Sequence, residues 1–273
     1  MKFLQFSFNL PPPGRSLRNR RPSCGFTLTE LLVVIAIASL LSTLALTDFQ
    51  TIMSTSTDSE FSDFASTLVR ARAYAMANNT YVFVGIQEVD ASVSDAPGVA
   101  QSTGANHYGR IAVSIVASNN GTSGYPNSIT SSTLLNSSST TSLTPVASLR
   151  NFNNLHILSS SGIANLPNSV TGASSYNLAS SSAPTSASSL TTFAWPLTGT
   201  AQYTFGSAPG SVIQFDPQGE AQVVTGFETD SILQWIEIDL EPTHGNNVPG
   251  TTSHTTAAIL IDGPSGAVSL YRS

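Results

Sequence analysis

The chain has 273 residues, of which 40% are hydrophobic and only 10% are charged, and its formal net charge is −6 at pH 7. This length and apolar content suffice for one large or two small domains with a buried core. The acidic balance argues against nucleic acid as a partner, because neutralising phosphate requires Lys or Arg.

Residues 1–25 form a basic leader with Pro-rich and Arg-rich stretches. They hold five of the ten basic residues, whereas all 16 acidic residues follow them. Basic residues before an apolar run keep that end of a chain in the cytoplasm. The bulk of the chain is therefore expected across the inner membrane, in the periplasm. The single cysteine, Cys24, lies in this leader, so a chain cut after residue 25 has no disulfide.

An apolar run without charge, Gly or Pro covers residues 31–46. With residues 26–29 it makes about 20 residues, the length that crosses a bilayer, and it predicts a single membrane span at about 26–47. Glu30 interrupts this span, and a carboxylate in such surroundings requires a cationic partner. A cut between Gly25 and Phe26 creates an amino group about one helical turn from Glu30, in its own or a neighbouring subunit.

Residues 25–37 read GFTLTELLVVIAI, and this stretch resembles the type IV prepilin signature shared by pilins and type II secretion pseudopilins. The resemblance covers about residues 14–46. It implies cleavage between Gly25 and Phe26 by prepilin peptidase, N-methylation of Phe26, and a role for Glu30 in helix packing during assembly. The implied partners are other pseudopilins or pilins, an inner-membrane assembly platform, and the lipid bilayer before assembly.

A long helix is predicted for residues 26–79, because after Phe26 the first Gly is Gly85 and the first Pro is Pro97. Its second half is amphipathic and is expected to pack on a sheet. A capping-box pattern at Thr57 and Glu60 leaves open whether a second helix begins at Asp58 or one helix continues. The apolar residues at helical spacing are Phe49, Ile52, Met53, Phe61, Phe64, Leu68 and Ala75.

Residues 80–273 are predicted to form a periplasmic β-rich head, with a Ser/Thr/Asn-rich insertion at about 117–190. The fold class is therefore α+β and pilin-like, with the N-terminal helix packed on an antiparallel β domain. Strands are expected at 81–86, 108–116 and 232–240, an apolar island lies at 155–158, and hairpins are expected at 212–224 and 258–271.

Two further resemblances concern this head. Residues 68–79 and the Phe-Asp-Pro-Gln-Gly sequence at 215–219 resemble the minor pseudopilin H and minor pilin T group, in which such a helix end leads into a small β domain. The enlarged head resembles the pilin-like proteins of the Verru_Chthon cassette group.

The head carries no recognisable catalytic motif, so neither a catalytic residue nor a cofactor is expected. Glu237, Asp239 and Glu241 alternate and therefore share one face of a strand. That face is expected to be a solvated acidic surface, with a calcium site completed by loop carbonyls as the alternative. Trp235 is expected in the core, and surface positions are expected for His107, His156, His244 and His254.

These observations favour a minor pseudopilin, a structural subunit of a type II secretion pseudopilus. The alternatives are a minor type IV pilin in pilus assembly or DNA uptake, and a membrane-anchored enzyme. DNA binding is not expected, because the arginines after the leader are scattered along the chain: Arg70, Arg72, Arg110, Arg150 and Arg272.

Overall fold

A computed structural model describes residues 27–103, 107–119, 121, 143–158, 175–178, 193–197, 199–206, 210–223, 233–248 and 256–272. The side chains of 43–56, 175, 176, 210 and 211 are not among those described. The predicted leader, Gly25, Phe26 and most of the predicted insertion lie outside these ranges. The chain divides into two compact units, Met1–Thr51 and Ile52–Ser273.

Helix α1 spans Leu28–Asn78 and runs without a break through residues 54–60. The continuous helix is therefore confirmed, and a second start at Asp58 is wrong. The helix ends as predicted at the two asparagines: Asn79 has a φ of 49°, and the N–H of Thr80 donates to the carbonyl of Ala75 at 3.1 Å. This is the Schellman ending, which satisfies a carbonyl of the last turn.

Most described residues after the helix form antiparallel sheets. The strands are β1 (Val82–Asp90), β2 (Gly109–Ser118), β3 (Leu143–Pro145), β4 (Arg150–Asn153), β5 (Leu155–Leu158), β6 (Ser175–Asn177), β7 (Phe193–Trp195), β8 (Tyr203–Phe205), β9 (Gly210–Phe215), β10 (Ala221–Val223), β11 (Trp235–Pro242), β12 (Ala257–Asp262) and β13 (Val268–Arg272). The strands and both hairpins expected from the sequence are confirmed, including the island at 155–158.

The first sheet has the order β10-β9-β1-β2-β3, and β4 also pairs with β2. The second has the order β13-β12-β11-β5. In this second sheet β6 runs parallel to β11, whereas β5 and β12 are antiparallel to it. The short β6 lies within the predicted insertion at 117–190, and so do β3, β4 and β5, which pair with β2 or β11. These parts of the predicted insertion therefore belong to the two large sheets.

The main core lies between the second half of α1 and one face of each large sheet. Phe61, Phe64, Leu68 and Ala75 are buried in this core, as their helical spacing predicts. Alternate residues of the strands pack against these helix residues. They include Val84 of β1 and six residues of β11 and β12: Ile236, Ile238, Leu240, Ala257, Ile259 and Ile261. The side chains of Phe49, Ile52 and Met53 fall outside the described set.

A smaller apolar cluster covers the opposite face of the first sheet. The β7–β8 hairpin lays Phe193 and Phe205 over β1 and β2, where they meet Phe83 and Val116. Gly85 makes this close approach possible, because a Cβ there would lie 2.5 Å from Cγ of Phe205. The hairpin can therefore pack closely on β1 because Gly85 has no side chain.

Within the described part of the chain, no helix is long and apolar enough to cross a membrane. The span expected at about 26–47 stays a prediction.

Candidate processing and assembly site

The start of α1 is capped by a residue of the prepilin-like stretch. Thr27 lies just before the helix, and its Oγ1 accepts the N–H of Glu30 at 3.2 Å. Its carbonyl accepts the N–H of Leu31 at 3.1 Å. Thr27 is therefore the N-cap, and Glu30 occupies the third helical position, as in a Ser/Thr-x-x-Glu capping box.

Glu30 lies in the first turn of the helix and is exposed. A negative charge is stabilised there by the helix dipole and the free N–H groups of the first turn. The predicted counter-charge, the amino group of Phe26 after cleavage, belongs to a residue outside the described ranges. Any pairing between Phe26 and Glu30 is thus still a prediction.

The first turns of α1 expose a continuous apolar surface. Leu31, Leu32, Val33, Val34, Ile35, Ile37, Leu40 and Leu41 each have an exposed fraction of 55% or more. The polar groups among them bond within the helix: the hydroxyls of Ser39 and Ser42 donate to the carbonyls of Ala36 and Ala38, each at 2.8 Å. These serines therefore need no outside hydrogen-bond partner.

The acidic row of β11 is buried, so the predicted solvated face is wrong. Glu237, Asp239 and Glu241 are only 6%, 1% and 1% exposed. Burial raises the pKa of Asp239 to about 8, with the neighbouring Glu237 charge adding to the effect. Burial also raises the pKa of Glu237. Alternation placed the three on one face correctly, but it did not predict that this face is buried.

The calcium alternative gains no support from this row. Among the residues that the structure describes, no three His, Cys, Asp or Glu side chains are placed to share a metal ion. Residues two apart on a strand are about 7 Å apart, so a straight row of three carboxylates does not converge on one cation. Trp235 is half-buried rather than fully in the core.

Two of the histidines pair with carboxylates. The ring of His156 is 15% exposed, and its Nδ1 lies 2.8 Å from Oε1 of the buried Glu88, so the predicted surface position of His156 is wrong. Nδ1 of His107 lies 3.0 Å from Oδ2 of Asp90. His244 is exposed as expected, and His254 is outside the described residues.

Asp90 is held as an anion by local donors. Its Oδ1 accepts the backbone N–H and the hydroxyl of Ser92, at 2.8 and 2.6 Å. These bonds from Ser92, together with that from His107, lower the pKa of Asp90 to about 2.

Three of the described arginines bond to other groups of the head. Arg110 is only 8% exposed and donates to Asn153 Oδ1 and the Val93 carbonyl at 3.0 and 2.9 Å. Arg150 pairs with Asp63, and Arg272 lies near Asp58. Arg110 thus holds a loop, and Arg150 and Arg272 contact α1.

Residues 20–46 match the family model described as the prokaryotic N-terminal methylation motif. This motif is type IV prepilin-like, and it contains the capped start of α1 and the apolar residues that follow. No curated protein and no solved structure gives a significant match to the chain. The N-terminal residues thus match a known motif, whereas the head lies outside it.

The methylation motif supports a type IV pilin-like precursor that prepilin peptidase processes and that assembles with other pilins. Of the residues predicted to act in it, Glu30 is described, whereas Gly25 and Phe26 are not. The role of Thr27 as N-cap of α1 was not predicted from the sequence. The Thr-x-x-Glu pattern at 27–30 contained the signal, although the same pattern at Thr57 and Glu60 lies inside the helix rather than at its start.

Proposed function

We propose that this protein is a minor pseudopilin, a non-catalytic structural subunit of a type II secretion pseudopilus. The observation that carries the proposal is the methylation motif at 20–46, joined to an α1 start with exposed apolar side chains and one carboxylate. An α+β domain follows the motif. A resemblance of the helix end and of the β9–β10 hairpin to the minor pseudopilin H and minor pilin T group supports a minor subunit.

We place the first half of α1 in the inner membrane before assembly, with the N-terminus cytoplasmic and the head periplasmic. The exposed leucines, valines and isoleucines of residues 31–41 suit a lipid environment, and so do the serines that bond to their own helix. The Arg-rich leader supports this orientation.

Glu30 then has a specific task during assembly. A carboxylate in an apolar environment is costly unless a cation lies beside it. Cleavage after Gly25 supplies that cation as the amino group of Phe26. When the subunit leaves the bilayer for the filament, pairing of Glu30 with the amine of a neighbouring subunit sets the register between the two helices.

The role of Glu30 is tested by replacing Glu30 with Gln or Leu and measuring processing and assembly separately. Mass spectrometry of the mature chain reports cleavage and methylation. Cleavage removes Cys24, so a Ser39→Cys variant reports helix contacts in the filament by crosslinking. We expect normal processing but at least about tenfold less crosslinking, equivalent to losing roughly 1.4 kcal/mol.

Asp95→Asn, at an exposed loop position, is the matched control and should crosslink as the unmodified chain does. Crosslinking of the Gln and Leu variants at the level of this control would refute the assembly role. A failure of cleavage in these variants would instead place Glu30 in peptidase recognition.

The alternative is a minor type IV pilin, since the same N-terminal motif serves both assemblies. A deletion strain discriminates them by its secreted proteins, its surface pili and its DNA uptake. Loss of secreted proteins with intact pili supports the pseudopilin. Loss of pili or DNA uptake with normal secretion supports the pilin. The scattered, engaged arginines of the head argue against direct DNA binding in either case.

A further inference from the structure

The buried acidic residues Glu237 and Asp239 of β11 lie beside β6, a short strand from the Ser-rich insertion. β6 pairs with the first part of β11, with Asn177 opposite Glu237. The Asn177 side-chain amide donates to Oδ2 of Asp239 at 2.9 Å, and the N–H of Leu178 donates to the Glu237 carbonyl at 3.0 Å. Bonds from Asn177 and Leu178 thus join the end of β6 to these two acidic residues.

Glu237 and Asp239 are two residues apart on the same face of β11 and are only 6% and 1% exposed, and burial raises the pKa of both carboxyl groups. Among the described residues, neither Oε1 of Glu237 nor Oδ1 of Asp239 has a hydrogen-bond partner. The pair is therefore buried, poorly supplied with donors and dependent on a proton. Two adjacent carboxylates without water or a cation are strongly destabilising.

The charged and titratable groups around β11 are engaged elsewhere. On its own face the nearest is Glu241, another acid, and β5 contributes His156, which pairs with Glu88. On β12, Asp262 bonds to Ser265. On β13, Tyr271 lies opposite Ala258, and Arg272 reaches Ser62 of α1 at 2.7 Å. No arginine within the described ranges pairs with Glu237 or Asp239.

We propose that the Glu237–Asp239 pair is a proton-dependent latch that holds β6, and with it this part of the insertion, on the second sheet. With one proton between them, the two carboxyls stay buried and β6 stays paired with β11. Loss of that proton leaves two buried carboxylates beside β6, and separation of β6 from β11 admits water to both. The inference concerns the head alone and does not rest on the proposed function.

The direction of the pH effect follows from proton binding. The closed state binds the proton of Asp239 more tightly than the open state, in which the carboxyl is hydrated. Opening is therefore favoured as pH rises from the ordinary range of an aspartic acid to the raised value in the closed state. The open-to-closed ratio increases by up to about tenfold per pH unit across that interval and then levels off.

Trp235 provides the measurement, because it pairs with Ser175 of β6 and its ring nitrogen is buried. In a Trp195→Phe background it is the only tryptophan of the chain. Acrylamide quenching of its fluorescence is followed from pH 5 to 9 on the full-length protein in detergent micelles. We expect quenching to rise with pH towards a plateau, and Asp239→Asn to abolish the rise.

The control is Asp95→Asn in the same background, which should keep the pH dependence. A second readout is the carboxyl carbon signal of Asp239 in the unmodified protein, which should titrate well above the usual range of an aspartic acid. Quenching that is independent of pH in the Trp195→Phe background would overturn the latch. An equal rise in Asp239→Asn, or an ordinary titration of Asp239, would overturn it as well.

Discussion

At the scale of single residues, the absence of a side chain at Gly85 controls how the β7–β8 hairpin packs. The position lies in the middle of β1, where a glycine is otherwise unfavourable. The rings of Phe193 and Phe205, with centroids 5.0 Å apart, fill the space that a Cβ would occupy. A substitution here therefore acts through a displaced hairpin rather than through backbone strain.

We predict that Gly85→Ala lowers the free energy of unfolding by about 1–3 kcal/mol, the usual effect of overpacking. Urea denaturation of the full-length protein measures it. The test of mechanism is a double-mutant cycle, because Phe205→Ala removes the closest contact, that with Cγ of Phe205 at 2.5 Å, and leaves space into which the Phe193 ring, at 2.6 Å, can move. Gly85→Ala should then cost clearly less in the Phe205→Ala background. An equal cost in both backgrounds would mean that the hairpin is not responsible.

At the scale of elements, α1 changes character along its length. Its first turns expose apolar side chains, whereas beyond residue 57 one face is buried in the head and the other is solvated. Phe64 is 1% exposed and its ring centroid lies 5.1 Å from that of Phe152 on β4. The helix thus contributes a large part of the head's core.

We predict that Phe64→Ala destabilises the head by about 3–5 kcal/mol, as expected for removal of a buried aromatic ring. Val69→Ala is the matched control on the same helix. Val69 is 48% exposed, so its truncation should change the free energy by less than about 0.5 kcal/mol. Comparable losses for both variants in urea denaturation would contradict the assigned inward face.

Helix α1 and strand β11 show what sequence patterns predict and what they miss. Spacing at threes and fours identified the buried face of α1, because periodicity is a local property of the chain. Alternation likewise placed Glu237 and Asp239 on one face of β11. It did not predict their burial, because burial depends on contacts with residues distant in sequence, such as Asn177 of β6, which lies in a stretch with little apolar content. The capped start at Thr27 was missed although its pattern was present.

At the scale of the whole molecule, two carboxyl groups make the stability of the head depend on pH in opposite ways. The pKa of Asp90 is lowered to about 2, so its contribution is full above its ordinary value and is lost as pH falls through that lowered value. The pKa of Asp239 is raised to about 8, so the native state loses stability as pH rises from about 4 towards 8. Considered alone, these two groups contribute most to stability on the acidic side of neutrality.

We predict that the free energy of unfolding falls by up to about 1.4 kcal/mol per pH unit between pH 5 and 8, the linkage of one proton. Denaturant titrations of the full-length protein at several pH values measure this slope. Asp239→Asn should flatten it, whereas Asp90→Asn should leave it unchanged and remove the acid-side dependence. Stability that increases from pH 5 to 8 would contradict the buried acid pair.

The pairing of β1 with β9 has a further consequence for how the head reaches its folded state. Val82 lies opposite Phe215, and Arg272 donates to the hydroxyl of Ser62, 210 positions away. Contacts between such distant positions are slow to form, because a long loop must close first. During synthesis from the N-terminus, the early apolar strands of the head therefore stay uncovered until its last strands have been made. That interval is when assistance from a chaperone matters most.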